Sequence, residues 1–128
     1  MCQKISTALA PAAIGPYSQA IISDKMIFTS GQLGLRPDTG VLVEGGVQKE
    51  AEQALENLSS ILRAGGADLT TVVKTTCFLT SMSDFAAFNQ VYARYFPQKP
   101  ARSCFAVKEL PKGASVEIEA IAERKSNA

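Results

Sequence analysis

Apolar residues recur at helical spacing from Val47 to Ala64. Val47, Ala51, Ala54, Leu55, Leu58, Ile61 and Leu62 share one face, while Lys49, Glu52, Gln53, Glu56 and Arg63 supply the polar remainder. Gly65-Gly66 ends this helix. A second helical rhythm begins after Ser83, the expected cap; Phe85, Phe88, Tyr92 and Tyr95 form its apolar stripe, read as core, and Pro97 closes it. The β-branched run Val72 to Leu79 predicts a strand between the two helices. Nearer the N-terminus, Ser18 to Ile22 and Met26 to Leu33 predict a hairpin turning at Ser23-Asp24-Lys25, and Arg36 to Gly40 predicts a further turn. Arg102 to Val107 and Ser115 to Glu123 read as two strands joined by a loop holding Pro111, Lys112 and Gly113. The order hairpin, helix, strand, helix, hairpin suggests an α+β sandwich, a mixed sheet with both helices packed on one face.

Strand alternation then assigns faces. Val116, Ile118 and Ala120 should meet the helices, which sends Glu117 and Glu119 to the other side. With Phe105 and Val107 taken as core, Arg102 and Cys104 join the two glutamates there. Antiparallel pairing of these strands would set Cys104 near Glu117 and Arg102 near Glu119. Two readings fit that cluster. One is an exposed face with a cross-strand ion pair, worth about 1 kcal/mol or less. The other is chemical: an Arg fork binds a carboxylate through two hydrogen bonds, and a partly buried Glu can deprotonate a water. Ile121 and Phe78 or Leu79 would make the helix-free face half apolar, a surface suited to another subunit.

Composition narrows the chemistry. The 128 residues suffice for one domain with a real core, 46% of them hydrophobic and 20% charged. The net charge of +1 gives no general attraction to nucleic acid or anionic membrane. No apolar run approaches the roughly 20 residues that span a bilayer, and the N-terminus lacks a signal-like pattern, so a cytoplasmic protein is expected. Cys2, Cys77 and Cys104 are too few and too scattered for a disulfide framework or a zinc site. The absence of histidine removes Ser-His-Asp and Cys-His catalysis. Two turns adjoin strands: Ala13 to Ala20, with Tyr17 at its junction, and Thr29 to Gly34, where glycine lets a ligand approach the backbone. Neither is a nucleotide-binding loop.

An ordered set of segments spans nearly the whole chain: Ala10-Pro11, Ala13-Ile14-Gly15-Pro16-Tyr17-Ser18-Gln19-Ala20, Thr29-Ser30-Gly31-Gln32, Val72-Val73-Lys74-Thr75-Thr76, Asp84-Phe85 with Asn89, Pro100-Ala101-Arg102-Ser103, Leu110-Pro111-Lys112-Gly113, and Val116 to Ala122. Together they resemble the Rid family of reactive intermediate deaminases, formerly the YjgF family, in its RidA-like branch. The resemblance implies one Rid-type domain over residues 1–128 with a chorismate-mutase-like α+β fold. It also implies a homotrimer with sites between subunits. The implied reaction hydrolyses 2-imino acids, or their 2-amino-2-enoic tautomers, to 2-keto acids and ammonia without metal or organic cofactor. On this resemblance Arg102 binds the substrate carboxylate and Glu117 activates the water. Spacing alone leaves Glu117 and Glu119 equivalent. Tyr17, Ser30, Gly31, Asn89 and Cys104 match pocket positions, with backbone groups at Gly31 and Cys104 available to the imine nitrogen or the water. The alternatives are an RNA-acting translation inhibitor or ribonuclease, and a non-catalytic ligand-binding or chaperone protein. The neutral charge and the lack of a basic aromatic platform weigh against RNA.

Overall fold

Helix α1 (Gly46–Ala64) and helix α2 (Phe85–Tyr95) cover one face of a six-stranded mixed sheet. The structure, a computed structural model, describes residues 2–126. Its strands are β1 (Cys2–Ile5), β2 (Ala20–Ser23), β3 (Met26–Thr29), β4 (Val72–Leu79), β5 (Ala101–Ala106) and β6 (Val116–Glu123), in the order β1-β2-β3-β6-β4-β5. The apolar face predicted for α1 is the one it buries: Ala51, Ala54, Leu55, Leu58, Ile61 and Leu62 are fully enclosed. Each large side chain among them contributes about 1.5–3 kcal/mol over its exposed state. They meet Ile27 of β3, Cys77 and Leu79 of β4, and Val116, Ile118 and Ala122 of β6 in one core. Among the described residues no helix is long and apolar enough to cross a membrane.

The first hairpin is present, β2 paired antiparallel with β3 around Asp24-Lys25, although both strands are shorter than the apolar runs suggest. Strand β1 carries no apolar alternation to announce it; only Ile5 of its four residues is buried, and pairing with β2 supplies its order. Helix α2 starts differently from expectation. Ser81, not Ser83, accepts the capping bond, from the backbone N–H of Ser83, and a short 3-10 turn (Met82–Asp84) leads into the helix.

The larger correction concerns the last two strands, which are not a hairpin. β4 lies between them, antiparallel to β6 and parallel to β5. Helix α2 is the crossover that a parallel neighbour requires, so β4-α2-β5 is a β-α-β unit. In this register Arg102 lies beside Thr75 and Ala120, and Cys104 beside Cys77 and Ile118. These are helix-facing positions. Phe105 lies beside Phe78 and Glu117 on the opposite, helix-free face, where it is 45% exposed and meets Phe78 edge to face at 5.4 Å. Arg102 and Cys104 therefore share no face with Glu117 and Glu119, and the expected Arg102–Glu119 pair does not form. Phe28, Ile121 and Phe78 extend the half-apolar surface, with Phe28 44% exposed.

Candidate active site

The structure divides the seven candidate residues into two groups on opposite sides of the sheet. Tyr17, Ser30, Gly31 and Glu117 line one groove of about 970 Å³, joined there by Gln32 and Glu119. Arg102, Asn89 and Cys104 form the second group where β5 meets α2.

The groove is built by loops pinned from beneath. Buried Gln19 receives the backbone N–H of Thr7 at 2.7 Å and donates to the carbonyls of Thr7 and Pro11, which fastens the segment before Tyr17. Ser30 is tied to the same stretch twice: its N–H donates to the Gln19 carbonyl and its hydroxyl to that of Ser18. After β3 the chain leaves the sheet at Ser30 and returns for one reciprocal bridge, Gln32 with Ile118. Beyond it, buried Asn57 of α1 donates to the carbonyls of Leu33 and Leu35. Gly34 lets this loop run against α1, since a Cβ there would fall 2.6 Å from the Cα of Glu50. Tyr17 stands at the groove mouth, 53% exposed.

Gly31 has a more specific reason to be glycine. A Cβ at this position would lie 2.5 Å from Glu117 Oε2 and 2.7 Å from its Cδ. The Glu117 carboxylate thus lies directly over the Gly31 backbone. Burial raises the pKa of Glu117 above its ordinary value, and the neighbouring Glu119 charge raises it further. A carboxylate that holds its proton more strongly is a better base toward water once ionised. Spacing leaves the two glutamates equivalent; in the groove it is Glu117 whose carboxylate lies against Gly31.

On the other side, Arg102 Nη1 donates to Asn89 Oδ1 at 2.7 Å. The guanidinium carbon lies 4.7 Å from the Tyr92 ring centroid and 5.4 Å from that of Phe85. Among the described residues no carboxylate pairs with Arg102, the ion pairs being Lys49–Glu52, Arg94–Glu52 and Lys125–Asp68. Cys104 is half-buried, and desolvation pushes its thiol pKa up despite the lowering effect of Arg102, so it is protonated at neutral pH. Among the described residues no three His, Cys, Asp or Glu side chains converge as metal ligands.

The aromatic supports of Arg102 are absent from the sequence-derived site. Phe85 and Tyr92 are legible as core, yet Phe85, Asn89 and Tyr92 also fall four and three residues apart, one stripe of α2. That stripe, with a polar Asn between two rings, was the available signal.

A profile of the family described as Endoribonuclease L-PSP matches residues 7–124. A goat protein named 2-iminobutanoate/2-iminopropanoate deaminase is 58% identical over 92% of this chain and 87% of its own length. An Arabidopsis thaliana protein named Reactive Intermediate Deaminase A, chloroplastic, is 51% identical over 92% of this chain and 64% of its own length. The crystal structure of E. coli TdcF with bound serine superposes with a TM-score of 0.91 at 42% identity, covering 96% of this chain and 99% of that one. With its fold, its motifs and nearly all of its length shared in this way, the chain belongs to the Endoribonuclease L-PSP family, together with proteins named reactive intermediate deaminases.

Proposed function

We propose that this chain is a 2-iminobutanoate/2-iminopropanoate deaminase, a cytoplasmic homotrimer of one domain over residues 1–128 whose sites lie between subunits and need no metal or organic cofactor. The names of the goat and Arabidopsis relatives support the activity. The observation that carries it is the Arg102 guanidinium: tethered by Asn89, laid on two rings, and without a carboxylate of its own among the described residues. Such a fork is prepared for a small carboxylate ligand, and the serine bound to TdcF is a ligand of that class. Arg102 and Glu117 occupy opposite faces of one sheet, so a single site containing both draws them from two copies of the chain.

The chemistry follows from these groups. Arg102 holds the carboxylate and so retains the imino acid in the site. Glu117, ionised at working pH, takes a proton from a water as its oxygen bonds to the C=N carbon. The π electrons of the C=N bond move to nitrogen, which takes up the proton that Glu117 removed from the water, giving a tetrahedral aminoalcohol and restoring the carboxylate. Proton transfer from its hydroxyl to nitrogen, with C–N cleavage, releases ammonia and leaves the 2-keto acid. Backbone groups at Gly31 and Cys104 are available to hold the nitrogen and the water. Cys104 serves through its backbone, because its thiol stays neutral.

The test is ammonia release from 2-iminobutanoate generated in the assay. Wild-type protein should accelerate it, and Arg102→Ala should lower kcat/KM by about 10²-fold or more. A wild-type protein that binds 2-keto acids but releases no extra ammonia would be a ligand-binding protein instead. Salt-sensitive RNA cleavage lost with a site substitution would favour the nuclease reading.

A further inference from the structure

Behind the arginine runs a buried chain of contacts to which no role has been given. Tyr92 is only 8% exposed and lies in α2, one turn beyond Asn89. Its hydroxyl shares a 2.6 Å hydrogen bond with Thr75 of β4, itself 1% exposed. The Cys77 thiol donates weakly to the same Thr75 oxygen at 3.8 Å. Phe96 and Phe88 also pack against the ring, at 4.8 Å and 5.6 Å between centroids. The ring is thus fixed at its tip by a strand and at its sides by two aromatics. Its π system lies 4.7 Å from the Arg102 guanidinium carbon, whose tether, Asn89, comes from the same helix.

Three of these residues sit on separate elements, yet their register is fixed. Thr75 and Arg102 are direct cross-strand partners in the parallel β4–β5 pair. The strand that sets the ring angle is therefore the strand that sets the height of the arginine. A guanidinium held by one hydrogen bond to Asn89 could still swing about that bond. The Tyr92 ring face, with the more distant Phe85, removes the remaining freedom, and a cation over a desolvated ring gains attraction as well. The phenol itself stays neutral, since burial raises its pKa, so it contributes a quadrupole rather than a competing anion.

From this juxtaposition we infer that Tyr92 is a positioning residue for the carboxylate clamp: its ring, locked by Thr75, aims the Arg102 guanidinium at the ligand. The inference rests on the proposed role of Arg102 and adds the device that orients it. Because the carboxylate is unchanged through the reaction, mispositioning its clamp weakens ground state and transition state alike. The signature is a raised KM with kcat little altered.

Two readouts test this on the full-length protein. In steady-state hydrolysis of 2-iminobutanoate, Tyr92→Leu should raise KM about tenfold, the size of a desolvated cation–ring contact, with kcat within about twofold. Tyr92→Phe keeps the ring but gives up the hydroxyl that bonds Thr75, so its KM should fall between those of wild type and Tyr92→Leu. Thr75→Val breaks the same bond from the strand side and should behave like Tyr92→Phe. In the second readout, ¹⁵N relaxation of the Arg102 Nε–Hε group should report fast-timescale disorder in Tyr92→Leu and Thr75→Val but not in wild type. The inference is overturned if Tyr92→Leu folds with unchanged KM and an equally ordered Arg102. Should Tyr92→Leu fail to fold, an unchanged KM and unchanged order in Thr75→Val overturns it equally. A wild type that shows no turnover counts against the deaminase reading, and the relaxation comparison then decides the positioning role alone.

Discussion

Gly31→Ala isolates the geometry of the proposed base without touching its chemistry. The new methyl carbon would stand 2.5 Å from Glu117 Oε2, 2.7 Å from Cδ and 2.9 Å from Cγ. Ordinary carbon contacts begin near about 3.5 Å. The carboxylate must therefore retreat by about 1 Å, which its flexible side chain can do at small cost to folding. No left-handed backbone strain arises, because Gly31 is not among the positive-φ glycines. A 1 Å misplacement of a reacting group costs on the order of 10²-fold in rate. Gly31→Ala should accordingly lower kcat for 2-iminobutanoate by about that factor while its thermal midpoint stays within a few degrees of wild type. The assay is coupled ammonia release, beside a melting curve at matched protein concentration. A well-folded Gly31→Ala enzyme with kcat within about threefold of wild type would refute the claim that Glu117 must act from its position over Gly31.

Two further predictions concern protons. Glu117→Gln should lower kcat by about 10²- to 10⁴-fold, the range expected for losing a general base. Because the fold raises the Glu117 pKa, the wild-type protein is penalised once the group ionises. Glu117→Gln should thus melt higher than wild type at pH 7, and the difference should close as pH falls below the ordinary carboxylate range; a lower midpoint at pH 7 would contradict this. In Glu119→Gln the secondary cause of the shift is removed, the Glu117 pKa falls, and the acid limb of the kcat profile moves to lower pH. An unmoved or raised limb would count against Glu117 as the group that must be ionised.

Much of this molecule is legible in its sequence, because period and burial agree along single elements. The α1 stripe, the β4 run and the Val116-Ile118-Ala120 alternation each meet the core as their spacing requires. Pairing between elements is where periodicity fails. Two consecutive strands joined by one loop suggest a hairpin, yet β4 partners both β5 and β6, one parallel and one antiparallel. The facing of β5 fails for a related reason. It is an edge strand with apolar residues on both sides, and the larger one, Phe105, finds Phe78 on the helix-free face. Alternation cannot rank two half-apolar faces. Motif order singled out Arg102 and Glu117, while pairing two consecutive strands as a hairpin misplaced them on one surface. Tyr92 escaped as a site residue because its stripe is also core, and one aromatic can serve both.

The central claim, a deaminase site shared between chains, has one direct test. Arg102→Ala and Glu117→Gln proteins, each expected to lose about 10²-fold or more of kcat/KM, are mixed in equal amounts, unfolded and refolded together, and assayed for ammonia release from 2-iminobutanoate at a concentration well below KM. If Arg102 and Glu117 of different copies meet in each site, random assembly leaves about one quarter of the sites intact, and about that share of wild-type activity returns. If each site is built within one chain, every site carries a defect and the mixture stays inactive, which would contradict the account.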